Sequence, residues 1–179
     1  MFLDELGFQL APVVRRTYAP RGRTPIQEAW HRKGRISAIS AVTVSPARRR
    51  PNLYFRLLPD DANAHGEDTM AFLTRLRDRI KGPMTILWDQ SRIHQRSRVV
   101  KRYLAKHPEI VTEDFPGYAL DANPDEGVWG RTKYHRLPNY APGDTSEFRS
   151  RLWGELSSLR RRPDLLASFI QHARIPLRL

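Results

Sequence analysis

The sequence predicts an α/β domain built on a mixed sheet flanked by helices. Three observations lead there. The N-terminal third holds apolar, β-branched stretches close enough in the chain to pair antiparallel. Beyond them, segments of helical spacing alternate with short apolar strands, a pattern that lets strands add in parallel. The chain has 179 residues, which suits one domain able to bury a substantial core.

The elements follow in order. Met1 to Leu10 reads as two short apolar pieces around Gly7, a strand that turns and returns. Arg15 to Pro25, rich in arginine, proline and glycine, reads as an irregular cationic connection. Ile36, Ala38, Ile39, Ala41, Val42 and Val44 mark a strand buried on both faces. The basic turn Arg48-Arg49-Arg50-Pro51 leads to a strand at Leu53 to Leu58. Met70, Leu73, Leu76 and Ile80 recur at helical spacing, and Gly82-Pro83 ends that helix. Met84 to Trp88 is an apolar strand that stops at Asp89, and Val99, Val100, Tyr103 and Leu104 form the apolar face of the next helix. A strand follows near Ile110-Val111, and Phe115-Pro116-Gly117-Tyr118 turns the chain. Asn123-Pro124 opens a third helix, since asparagine caps well and proline is tolerated at the first helical position. Phe148, Leu152, Leu156 and Leu159 mark a fourth helix, Arg160-Arg161-Arg162-Pro163 interrupts it, and Leu165 to Ala173 is helical again. The expected layout is one domain over 1–179, with a core over about 1–135 and C-terminal helices over about 145–175.

Charge narrows the function. The formal net charge is +12 and the sequence pI is near 10.8. Such a field captures polyanions, and a nucleic-acid duplex is the densest of them. Cysteine is absent, which excludes disulfides and thiolate metal sites. No apolar run approaches the roughly 18 residues of a membrane span, and Met1-Phe2-Leu3-Asp4 lacks the features of a secretory signal. The expected setting is the cytoplasm, with no membrane partner.

Three carboxylates stand where chemistry is expected. Phe2-Leu3 runs into Asp4, and Ile86-Leu87-Trp88 runs into Asp89. Open α/β sheets place ligand sites beyond strand carboxyl ends. Glu126 lies in the first turn of the helix opened by Asn123-Pro124. Converging carboxylates suit hard divalent cations, and two such ions would clamp an in-line displacement at phosphorus. Each residue also has a plainer reading. Asp4 reads as a solvated turn residue, Asp89 as the cap of the next helix, and Glu126 as one member of a capping box with Asn123.

The spelling around these residues carries a resemblance. Phe2-Leu3-Asp4-Glu5-Leu6-Gly7-Phe8, then Leu87-Trp88-Asp89-Gln90-Ser91-Arg92-Ile93-His94, then Tyr118-Ala119-Leu120-Asp121-Ala122-Asn123-Pro124-Asp125-Glu126-Gly127-Val128-Trp129 stand in order. Together with the connection Arg16 to Pro25, they resemble the DDE superfamily endonuclease domain of bacterial insertion-sequence transposases related to mariner elements. The resemblance runs from about Phe2 to Lys133, and Asn-Pro-x-Glu-x-x-Trp is its most specific piece. Gln90 stands where the family usually has asparagine, and Leu120-Asp121-Ala122 replaces its Pro-x-Leu step.

The resemblance implies a ribonuclease H-like fold and a DNA transposase that cleaves transposon ends and transfers strands into target DNA. Asp4, Asp89 and Glu126 would be its catalytic metal ligands, with Mg²⁺ or Mn²⁺ as cofactor, two ions in all. Asp125 occupies the variable position before the glutamate and is not counted as catalytic. His94, Gln90 and Asn123 are candidates to support the site; His94 also reads as a structural histidine bonded to nearby backbone. Trp129 is expected to pack against the sheet on the face shared with Glu126. Arg16, Arg21, Arg23, Arg48, Arg49, Arg50 and Lys133 are candidate contacts to the DNA backbone. A homodimer is implied by analogy. Family members carry helix-turn-helix units ahead of the first aspartate, so this chain reads either as the second product of a split gene, with a separately encoded helix-turn-helix protein as partner, or as a truncated copy, and by itself is expected to recognise transposon ends poorly. A non-catalytic DNA-binding remnant and another ribonuclease H-like nuclease are the alternatives.

Overall fold

A computed structural model describes residues 1–26, 33–117, 122–175 and 177. Five strands form one sheet in the order β3-β2-β1-β4-β5. β1 (Phe2–Gln9), β2 (Arg35–Val44) and β3 (Pro51–Asp60) are antiparallel neighbours, while β4 (Met84–Trp88) pairs parallel with both β1 and β5 (Ile110–Asp114). The helices are α1 (Gly66–Arg79), α2 (Arg92–Gln95), α3 (Arg98–Lys106), α4 (Pro124–Arg131), α5 (Thr145–Arg160) and α6 (Pro163–His172). No described helix is long and apolar enough to cross a membrane.

The expected antiparallel start and parallel finish are both present. One local reading is overturned. Met1 to Leu10 does not turn at Gly7; it runs as a single strand, with Gly7 opposite Ser37. The bare backbone serves a close approach instead. A Cβ on Gly7 would lie 2.8 Å from the Arg35 side chain, which crosses the strand there. Two further details lay outside the sequence pattern. Ser91 opens the four-residue α2 by accepting from the Ile93 amide. α4 runs directly into a π-helical turn, Thr132–Arg136, closed by the Leu137 amide on the Thr132 carbonyl at 3.1 Å. Tyr118 of the expected turn, and Tyr118 to Asp121 of the third motif, lie outside the described residues.

Each sheet face has its own core. α4, α5 and α6 cover one, where Phe2, Phe8, Ile36, Val42 and Leu53 meet Trp129, Leu152, Leu156 and Ile170. α1 and α3 cover the other, where Leu3, Ile39, Leu58 and Ile86 meet Phe72, Leu73, Leu76 and Val100. Between its two end residues β2 is buried throughout, which accounts for its unbroken small and β-branched run. Each large side chain so buried contributes about 1.5–3 kcal/mol. These two layers hold the sheet rigid beneath whatever sits at its ends.

Candidate active site

The pleat of β1 decides which side chains can meet. Side chains alternate across a strand. Phe2, Asp4 and Phe8 therefore face α4, while Leu3 and Glu5 face α1. In the parallel register Phe2 lies opposite Leu87, and both pack into the α4 core. Two residues further along each chain stand Asp4, inside β1, and Asp89, just past the end of β4, and the Asp89 charge acts on the Asp4 carboxyl.

α4 closes over Asp4. The Asn123 side-chain amide donates to Asp4 Oδ2 at 3.0 Å and the Trp129 indole N–H donates to the same oxygen at 3.3 Å. The Glu5 amide donates to Oδ1 at 2.8 Å. Asn123 also caps α4, its Oδ1 accepting from the Asp125 amide at 3.1 Å. One asparagine thus starts the helix and ties it to the first aspartate. Glu126 stands exposed in the first turn. Burial pushes the Asp4 carboxyl up to about 7, and repulsion from Glu5, Glu126 and Asp89 adds to it. All four carboxylates therefore share one local field.

Asp89 is anchored from the other side. Its Oδ1 lies 3.0 Å from His94 Nδ1 and accepts from the Ser91 amide at 3.1 Å. The hydrogen bond from His94 holds this carboxyl below its ordinary value despite partial burial. His94 is itself buried and lies flat on Trp88, ring centroids 4.4 Å apart and planes 3° from parallel. Its Nε2 reaches Glu5 Oε1 at 3.0 Å. Burial opposes charge on the imidazole, but the bonds to Asp89 and Glu5 outweigh it and raise His94 to about 10.

A family model described as DDE superfamily endonuclease matches residues 1–149. The chain belongs to this family. No curated protein matches the chain. Among solved structures, it is similar to the Mos1 transposase paired-end complex with left transposon end, with TM-score 0.61 and 16% identity over 96% of this chain and 55% of that one. It is similar to a pre-cleavage Mos1 transpososome, with TM-score 0.61 and 12% identity over 99% and 56%. The Mos1 mariner paired end complex with Mn aligns with TM-score 0.58 and 15% identity over 96% and 55%. The chain spans about half the length of these relatives. At such identities the likeness is one of fold, and that fold is ribonuclease H-like.

The chain's other candidate residues are distributed unevenly. Asp4 is a mid-strand residue rather than a turn residue, and Ser91, not Asp89, caps the helix that follows β4. Gln90 is exposed and spends its amide on the Phe115 carbonyl at 3.1 Å, tying the end of β4 to the chain beyond β5. Trp129 packs as expected, edge-on to Phe8, and is buried, while Glu126, three residues earlier on α4, is exposed. Arg16, Arg21 and Arg23 are exposed on the connection after β1, and Lys133 lies over the Tyr134 ring at 5.4 Å. Arg48, Arg49 and Arg50 sit on the turn between β2 and β3, at the sheet end opposite Asp89. There Arg48 and Arg50 join Arg79, Lys81 and Arg160 around a groove of about 940 Å³.

Two further acids stand beside Asp4: Glu5, which its sequence context does not single out, and Asp125, the variable residue before Glu126. Glu5 looks like any charged residue after Asp4, and only the pleat turns it inward. Asp125 is wholly buried, accepting from Ser40 Oγ at 2.6 Å, and Ser40 lies opposite Asp4 in β2. Burial pushes the Asp125 carboxyl well above its usual range. Helical spacing held a signal for it, because Asp125 precedes Val128 and Trp129 by three and four residues and so shares their buried side. Among the described residues no group of three or more His, Cys, Asp or Glu side chains stands close enough to hold a metal ion, so Asp4, Asp89 and Glu126 interact through their charges without forming a metal cage.

Proposed function

We propose that the chain is the catalytic domain of a DNA transposase of the insertion-sequence type, with Asp4, Asp89 and Glu126 as the ligands of divalent metal. The observation that carries the reading is the placement of Asp4 in β1 beside Asp89, just past the end of the parallel neighbour β4, with Glu126 on the helix that Asn123 ties to Asp4. The donor set fits Mg²⁺ or Mn²⁺. It offers only hard carboxylate oxygens, and like-charge repulsion around Asp4 is what a bound cation relieves. Open coordination suits ions that keep waters and take substrate phosphate oxygens. Bound there, a pair of such ions supplies the Lewis acidity for displacement at phosphorus.

The chain's own groups set the geometry. Asn123 and Trp129 hold Asp4 Oδ2 from α4, and His94 and the Ser91 amide hold Asp89 Oδ1. Glu126, the exposed residue in the first turn of α4, would face arriving DNA. Arg16, Arg21, Arg23 and Lys133 would contact phosphates, which position the duplex without reading its sequence. Pairing two transposon ends would need a second copy of the chain.

Substituting Asp89 by Asn should abolish metal-dependent nicking of end-containing DNA while leaving DNA affinity near that of the wild type, measured by gel shift beside a nicking assay. A D89N variant that still cuts removes Asp89 from the chemistry. Nicking without strand transfer of a pre-cut end would make the chain a ribonuclease H-like nuclease of another kind.

A further inference from the structure

The functional reading leaves Glu5 without a role, yet it is a charged side chain only 10% exposed, on the face of β1 turned away from Asp4. Burying a carboxylate there is costly unless it is paired. Its partners are specific. Oε1 lies 3.0 Å from His94 Nε2, and the Thr69 hydroxyl of α1, shared with the His65 carbonyl, lies 3.3 Å from the same oxygen. On the opposite side of the ring, His94 Nδ1 lies 3.0 Å from Asp89 Oδ1 and 3.2 Å from the Asp89 backbone carbonyl, so it holds the side chain and the nearby backbone together. The ring plane is set by Trp88, whose own indole N–H donates to Asp114 at 3.1 Å. So the imidazole is gripped at both nitrogens and on one face.

We propose that Glu5 is a positioning residue of the active site, fixing the far nitrogen of His94 so that the near one clamps Oδ1 of Asp89 and leaves Oδ2 directed to the metal. Two features support this. Both hydrogen bonds to the Asp89 carboxylate fall on Oδ1, from His94 and from the Ser91 amide. The line from α1 through Thr69, Glu5 and His94 to Asp89 also passes from the back face of the sheet, around the end of β4, to its catalytic face. A loop aspartate just past a strand end gains a support rooted in the core. Partners of this kind orient a ligand, and their loss costs about 10–100-fold in metal affinity or activity.

The inference rests on the proposed function, because it needs Asp89 to be a metal ligand. Mn²⁺ alone, titrated by calorimetry into the metal-free chain, tests it without turnover. Wild type should bind, D89N should lose binding, and E5A should bind at least tenfold more weakly. E5Q keeps an acceptor for the ring and should fall between E5A and wild type. H94A should match E5A, and adding E5A to H94A should weaken binding no further, which a merely structural loss would not reproduce. T69V, a milder change that spares Glu5, should weaken Mn²⁺ binding in the same direction. Wild-type affinity in folded E5A and E5Q, with D89N impaired, overturns the role of Glu5 and leaves the transposase reading intact. A wild-type chain that binds no Mn²⁺ overturns both. Normal Mn²⁺ binding with no DNA nicking removes the transposase reading while the E5A comparison still decides the positioning role.

Discussion

Asp4 and Asp125 show what it means to bury acids beside one another. Both carboxyls are raised, Asp4 to about 7, by burial first and like charge second. A carboxyl whose folded pKa exceeds its unfolded value binds more protons when folded, so stability is present at low pH and is lost as pH rises through the folded value. For Asp4 that window runs from about 4 to about 7. In EDTA, thermal melts should therefore show wild type losing stability relative to D4N between pH 5 and pH 8, and Mg²⁺ should restore more at pH 8 than at pH 5. Parallel pH profiles of the two proteins would remove Asp4 as the source. Ser40 offers a second test. Serine to alanine leaves Asp125 without its 2.6 Å donor in a fully buried site. The expected cost is about 1–3 kcal/mol, read as a lower denaturant midpoint at unchanged slope.

At the scale of elements, α4 is the part whose placement matters most. Asn123 caps it and binds Asp4, Asp125 ties it to β2, and Trp129 packs on Phe8. Its outer side leans on α6 through Gly127, where a Cβ would fall 2.6 Å from the Phe169 ring. Gly127→Ala should push α4 and α6 apart, costing about 1–3 kcal/mol of stability and moving Glu126 enough to slow nicking. Phe169→Ala in the same chain should recover part of both losses, because it vacates the space the new methyl needs. Strictly additive effects of the two substitutions would show that the contact does not position α4. The π-helical turn that continues α4 is of a kind found often at functional sites, and here it carries Lys133.

At the scale of the molecule, the chain carries a net charge of +12, and two of its arginine groups stand at opposite ends of one sheet. Arg16, Arg21 and Arg23 leave the end where β1 finishes, while Arg48 to Arg50 crowd the opposite end with Arg79, Lys81 and Arg160. Binding to any duplex should weaken steeply with salt, because each neutralised phosphate releases counterions, with a slope of about −0.9 per contact. Replacing Arg48, Arg49 and Arg50 together by alanine should flatten that slope by about one to three contacts' worth. Nicking at low salt should persist, since that turn lies at the far end of the sheet from Asp89. An unchanged slope would free these arginines from any contact with DNA.

Local order was legible because it is encoded locally. Periodicity marked β2, α1, β4 and α5, Gly82-Pro83 closed α1, and Asn123-Pro124 opened α4. The carboxylate motifs and the family they resemble were readable for the same reason, being short motifs with fixed neighbours, although Asp4 lies inside β1 and only Asp89 follows a strand end. Gly7 misled because a glycine beside apolar residues looks alike whether it makes a turn or admits a crossing side chain, and Arg35 is 28 residues away. Only the tertiary structure could decide which carboxylates share a face. That depends on the pleat of β1 and the register of Phe2 with Leu87, both settled by packing between segments distant in the chain. The same physics buried Asp125 beneath Ser40, turned Glu5 towards His94, and sent the basic turn at Arg48 to Arg50 to the sheet end away from the carboxylates.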